Sequence, residues 1–205
     1  DIDFIVSDNP DFHPTDVLED ADGSLLVVDT GGWYKLCCPT SQIAKPEVLG
    51  GIYRIRRTNG KLVNDPRGLK LAWGKMSLTK TAALLDDPRP CVRHRAMAQL
   101  SKHGKRAIAP LKRIINKTKS VTARRNAVWA LTRIDTPAAR KATLPALADD
   151  DSTVQQAAVH AVGIHRDSTA VSELIPLLNA KSHHLRREAA TALGCIGDKL
   201  PVPAL

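Results

Sequence analysis

Four nine-residue stretches recur along this chain at one fixed step: VRHRAMAQL (92–100), ARRNAVWAL (123–131), VQQAAVHAV (154–162) and LRREAATAL (185–193), each 31 residues after the last. Ala96, Ala127, Ala158 and Ala189 share one column, and Leu100, Leu131, Val162 and Leu193 share another. In each copy the apolar residues fall at i, i+4, i+5 and i+8, which is a single stripe of an α-helix. An alanine kept at one place in that stripe marks where a neighbouring helix must come close. A second apolar segment follows each complete copy, in AIAPLKRIIN (107–116), ATLPALA (142–148) and AVSELIPLLN (170–179). Pro145 and Pro176 again lie 31 apart, and proline fits a first helical turn because its missing N–H has no partner there. A helix pair of this length cannot bury its apolar face alone and must stack on its neighbours. The spacing therefore predicts a mainly α chain with a small β part, in which residues 79–205 form an α-solenoid of 31-residue helix pairs. Three full units are expected across 79–181, and a fourth is expected to end after its first helix.

The repeats resemble the short HEAT-like repeat, whose first helix opens with Val-Arg and closes near a Leu-Gly pair, as in Leu193-Gly194 and Val162-Gly163. Composition agrees: 43% of residues are hydrophobic but only 3% aromatic, so the core must be built from Ala, Leu, Val and Ile. No run of about 18 apolar residues is present to cross a membrane as a helix.

Charge separates this array from what precedes it. Residues 1–50 hold ten acids and two bases, whereas residues 51–205 hold 28 bases and eleven acids. A basic body of this kind attracts nucleic acid, acidic glycans, anionic lipid or an acidic protein module. The acidic part reads as β. Asp22-Gly23 is a turn between Val17-Leu18 and Leu25 to Val28, the pattern of an antiparallel hairpin. A further strand is expected in GGIYRIRR (50–57). Such a sheet has open edges and too little core to stand alone, as one blade cut from a β-propeller would.

The stretch HPTDVLEDADGSLLVVDTGGWYKLCCPTSQIAKPEVLGGIYRIRR (13–57), with helical repeats downstream, resembles the bacterial PVC-type putative membrane-bound dehydrogenases. In that family a sorbosone-dehydrogenase-like or NHL-like propeller precedes HEAT repeats. The resemblance implies that residues 1–57 are a terminal, incomplete propeller blade and that the protein is periplasmic or exported. It also implies relatives that carry c-type haem or a quinone. No CxxCH haem-attachment motif occurs in the sequence, so no cofactor is assigned to this chain, and the resemblance carries over no catalytic residue. Residues 58–78, with Gly60, Gly68, Gly74 and Pro66, read as a linker in which Leu71 and Trp73 begin a capping segment. The opening residues show no signal peptide, and the chain reads as a piece of a longer protein.

Candidate chemistry is sparse. Cys37 and Cys38 are adjacent, and consecutive Cα atoms about 3.8 Å apart are closer than the roughly 4.4–6.8 Å of an ordinary disulfide. A bond between them would be strained and labile. On extended chain their side chains would face opposite ways, which disfavours joint metal ligation. Two structural thiols, a redox-active vicinal disulfide, a bond to another part of the protein and a metal site all stay open, the thiols leading. Cys91 and Cys195 read as packing residues. Asp16, Asp20, Asp22 and Asp29 crowd the hairpin and offer Ca²⁺ oxygen ligands, against a turn reading in which Asp22 only shapes the bend. No HExxH, P-loop, GxGxxG or Ser-His-Asp arrangement appears.

The first helices carry a ladder of bases. Arg93, Arg124 and Arg186 form one column, interrupted by Gln155, and His94, Arg125 and Arg187 form the next, with Arg95 alongside. They are the candidate binding face. The bland reading is that they tie one repeat to the next. Nucleic acid is a less favoured partner, because Trp129 is the lone aromatic residue of the array available for base stacking. The sequence thus predicts an interaction module whose helical face binds a protein or a ligand, attached to a dehydrogenase-like propeller, with a protein or the other blades of that propeller as its partner. A redox dehydrogenase-like protein is the first rival reading and a nucleic-acid binder the second.

Overall fold

The computed structural model describes residues 4–33, 47–60 and 62–197. The chain divides into two compact units, residues 1–66 and 67–205.

The first unit is a three-stranded antiparallel sheet in the order β1 (Pro14–Glu19), β2 (Leu25–Asp29), β3 (Gly51–Ile55). The β1–β2 loop closes through the Gly23 amide donating to the Asp20 carbonyl. Gly23 takes a positive φ of 80° there, a conformation in which a side chain would be strained. Val17, Val27 and Tyr53 lie in one cross-strand row, and Leu18, Leu26 and Arg54 in the next. Because successive rows face opposite sides of a sheet, Val17, Leu25, Val27 and Ile55 line one face, while Leu18, Leu26, Val28 and Ile52 line the other. Both faces carry apolar residues, with Glu19 and Tyr53 among them on the first and Asp16 and Arg54 on the second. Val17, Leu18 and Ile52 are nevertheless well exposed, and Val27 is the buried apolar side chain at the centre. A 3-10 turn at Gly31–Trp33 follows β2. The Gly32 amide donates to the Val48 carbonyl, and a Cβ at Gly31 would stand 2.5 Å from that same oxygen. Only glycine allows the two stretches to lie this close.

The second unit is helical: α1 (Leu78–Ala83), α2 (Pro90–Lys102), α3 (Lys105–Lys117), α4 (Val121–Thr132), α5 (Pro137–Thr143), α6 (Ser152–His165), α7 (Val171–Leu174) and α8 (His183–Ile196). The predicted first helices are α2, α4, α6 and α8, which pack one on the next as one layer. In the other layer α1 packs on α3 and α3 on α5. Leu85, Leu100, Leu111, Leu131, Leu174 and Leu193 are fully buried in the core, and the recurring Ala96, Ala127, Ala158 and Ala189 are fully buried in the same cluster. Each leucine removed from water contributes roughly 1.5–3 kcal/mol before cavity effects.

The repeat also sets the helix starts. Ser120, Asp151 and Ser182 stand 31 apart as N-caps of α4, α6 and α8, accepting hydrogen bonds from the amides of Ala123, Thr153 and Leu185. Arg89 holds the equivalent place before α2 without a side-chain cap, and Pro90 follows at the first helical position. Pro145 and Pro176 lie later than a helix start. Each sits in the first turn of a 3-10 segment, Leu144–Ala148 after α5 and Ile175–Asn179 after α7. Without an N–H the proline cannot continue the i to i−4 ladder, and the winding tightens.

Ahead of the repeats, α1 and the 3-10 turn Leu84–Asp86 pack on α2 where a second helix of a preceding unit would lie. The expected cap around Trp73 is a 3-10 turn, Trp73–Lys75. The Trp73 indole N–H donates to the Gly68 carbonyl at 2.7 Å, and its ring packs on the core.

Candidate binding face of the helical unit

The two columns of bases on the first helices do different things. In the first column, Arg93 donates to the carbonyls of Asp87 and Pro88, Arg124 to those of Thr118 and Lys119, and Arg186 to those of Ala180 and Lys181. Each guanidinium ties down the loop that leads into its own helix. Gln155, the exception in sequence, does the same with the Leu147 carbonyl at 3.1 Å. Arg124 does more, because its Nε and Nη2 also donate to both carboxylate oxygens of Asp149, at 2.7 and 2.8 Å. This two-pronged pair links the loop before α4 to the loop before α6. Burial works to raise the Asp149 carboxyl, but the Arg124 hydrogen bonds and the Asp151 amide outweigh it and hold it below the usual carboxylate range. Asn126, a buried polar residue of α4, adds a bond to the Leu85 carbonyl at 2.9 Å.

The second column is open. His94 and Arg187 are exposed and Arg125 is half-buried. Arg125 makes one side-chain hydrogen bond, from Nη1 to the Thr153 hydroxyl at 3.3 Å, and the Arg187 guanidinium has no partner among the described residues. Arg95 is engaged differently, lying over the Trp73 ring at 4.9 Å. The sequence groups all six arginines as one ladder; in the fold three of them staple loops, one covers an indole, and two face outward.

Beside Arg125 lies a cleft of about 330 Å³ lined by Arg125 and Trp129 of α4, Thr153, Gln156, Ala157 and His160 of α6, and Glu188 of α8. The His160 ring meets Trp129 edge-on, with centroids 5.4 Å apart. Its Nδ1 lies 2.6 Å from the Glu188 carboxylate, which fixes that nitrogen as the donor. Sequence reading passed over His160 and Glu188. The signal was there: Trp129 and His160 are one repeat step apart, and Glu188 is the sole acid in α2, α4, α6 and α8.

Elsewhere the candidate residues are scattered. Asp20 and Asp22 are paired with Arg54, and Asp22 also with Arg56. Asp29 accepts the amides of His13 and Gly31, and Asp16 that of Val17. Among the described residues no group of three or more His, Cys, Asp or Glu side chains could hold a metal ion. Cys37 and Cys38 lie outside the described residues. Cys91 and Cys195 are free thiols, half-buried and exposed. No helix among the described residues is long and apolar enough to cross a membrane.

Residues 79–163 and 140–205 match the family model described as HEAT repeats. No curated protein sequence matches the chain. Among solved structures, E. coli YibA is similar at 18% identity with a TM-score of 0.51, over 71% of this chain and 56% of that one. Human deoxyhypusine hydroxylase, solved with glycerol, is similar at 21% identity and a TM-score of 0.49, over 59% of this chain and 43% of that one. An engineered protein follows at 22% identity and a TM-score of 0.41, over 59% and 63%. The chain thus spans less than two thirds of each of these structures, and the likeness to YibA is one of fold.

Proposed function

The chain belongs to the HEAT-repeat family, and from that premise we propose that it works as an interaction scaffold whose binding surface is the outward face of α2, α4, α6 and α8. It acts by holding a partner rather than by catalysis. One observation carries this reading: a row of bases that is locked into loop carbonyls lies beside a second row, with Arg125 and Arg187, whose donors are largely free. A side chain that the fold does not need, next to a half-buried tryptophan and a cleft, is what a recognition surface requires.

The sheet unit is, in this proposal, the terminal blade of a β-propeller of the dehydrogenase-like kind, and the helical array serves that propeller. Supporting this is a three-stranded sheet with apolar residues on both faces, as a blade sandwiched between two others needs.

The test of the scaffold reading is peptide selection on the immobilised full chain, followed by hydrogen exchange with the selected peptides bound. Protection of amides in α4, α6 and α8 is expected. Protection confined to α1, α3 and α5, or no selected peptide at all, would overturn it.

A further inference from the structure

From the hydrogen-bonding capacity of the cleft between α4, α6 and α8 we infer that its occupant is an acidic segment of a partner protein, one that places a carboxylate on Arg125 and an apolar side chain on Trp129. The inference rests on reading this face as an interaction surface and adds the chemistry of what it holds.

The unfilled donors of the cleft centre on one cation, Arg125. The Arg125 guanidinium carries five N–H groups, of which one reaches Thr153. Among the described residues the Trp129 indole N–H and the Gln156 side-chain amide have no partner. The Glu188 carboxylate is the one anion of the wall, and one of its two oxygens is bonded to His160. A ligand that satisfies Arg125 must bring acceptors, and acceptors with charge suit it best. The four helices reinforce the choice, since Glu188 is their only acid against seven Arg and Lys residues. Ala157 is buried at the floor, and the half-buried Trp129 ring offers apolar area at little entropic cost. Trp and Arg are both among the residue types enriched where binding energy concentrates at interfaces.

The same geometry argues against a nucleic-acid strand. At about 330 Å³ the cleft holds one or two side chains rather than a backbone groove. The outward row of bases is broken at Gln156, so it offers no continuous cationic track for a run of phosphates.

The experiment titrates the full chain with three synthetic peptides, Glu/Asp-rich around a central Leu, the same sequence with Gln/Asn, and the same with Lys, and with a duplex oligonucleotide, at 0.15 M salt. Binding is followed by amide shifts of α4 and α6. Only the acidic peptide is expected to bind. Arg125→Gln should weaken it tenfold or more and Trp129→Ala comparably, while Trp129→Phe, which keeps the ring and the fold, should cost a few-fold. Lys112→Gln, on α3 in the other layer, is the charge control and should leave affinity within twofold. If Lys112→Gln weakens binding as much as Arg125→Gln, net charge alone attracts the peptide and the inference fails. Tighter binding of the oligonucleotide, at the same residues, also overturns it. Binding of the Gln/Asn or Lys peptide at Trp129 overturns the acidic partner but leaves the scaffold standing, whereas no peptide shift anywhere on this face defeats both.

Discussion

The sheet unit and the helical unit meet the same problem, burying apolar side chains, with opposite results. In the sheet, Val27 is buried while Val17, Leu18 and Ile52, on the same three strands, are more than half exposed. Its order comes from polar ties: Arg54 joins Asp20, Asp22 and Ser24 across the strands, and Asp29 gathers the amides of His13 and Gly31. In the helical unit a line of fully buried leucines runs from Leu85 to Leu193. A stacked repeat gains an interface with every copy, so its core grows with its length. Three strands cannot close on themselves and leave both faces to be covered by something else.

The largest expected effect tests that contrast directly. Leu131 is fully buried in the helical core, so Leu131→Ala should cost about 3 kcal/mol and lower the main helical melting transition by several degrees. Val27→Ala, in the sheet, should leave that transition within a degree of its original Tm. Melting both variants by circular dichroism at 222 nm decides the matter. Equal losses would mean that the two units unfold as one and that the contrast is false.

That difference also explains what could be read from the sequence. The helical layer was legible because one period repeats four times, and each copy corrects the reading of the others. The buried column from Leu100 to Leu193 follows from the 31-residue step, and the N-caps Ser120, Asp151 and Ser182, which sequence reading did not single out, keep the same step. The split second helices were less legible, since proline in a first turn and proline at a 3-10 transition look alike until the helix start is known. The binding face was half legible: Arg93 and Arg125 are alike in sequence, and only the path of the loop at Asp87 and Thr118 shows which guanidinium it captures. The cleft depends on Glu188 meeting His160 from another helix, a contact between repeats that one copy of the motif cannot reveal.

Acid sharpens the comparison by a second, smaller effect. Hydrogen bonds from the Ser24 hydroxyl and amide lower the Asp22 carboxyl, and the amides of Gly31 and His13 lower that of Asp29. Groups lowered in the fold stabilise it fully above their unfolded value, near pH 4, and that contribution is lost as the pH falls through the lower folded value. The sheet, whose order rests on such carboxylates, should therefore loosen below about pH 4 while the helical core persists. Limited digestion with pepsin across pH 4.5 to 2.5 should cut within residues 4–60 first. In the helical unit Asp149→Asn removes one acid-sensitive tie and should cost about 2 kcal/mol at neutral pH, less than a fully buried pair because Arg124 keeps its two loop carbonyls. Helical segments digested before the sheet would reverse the assignment of strengths.

The smallest effect asks whether the helical unit responds piece by piece. Ser182 caps α8 through its hydroxyl, which accepts the Leu185 amide at 3.3 Å. Ser182→Ala should cost about 1 kcal/mol, felt in the first turn of α8 and in its packing on α6. Ser120→Ala should cost more, because the Ser120 hydroxyl both accepts the Ala123 amide and donates to Asp86, so two bonds are lost and a loop is released. Native-state hydrogen exchange should show amides at the start of α8 exchanging about fivefold faster in Ser182→Ala, with little change in α2. In a stack where each copy touches only its neighbours, a local loss fades with distance along the array. Amides of β2 should not respond at all. If β2 exchanges faster when the distant cap Ser182 is removed, the sheet and the repeats share one cooperative transition, and the contrast between the stack and the sheet must be abandoned.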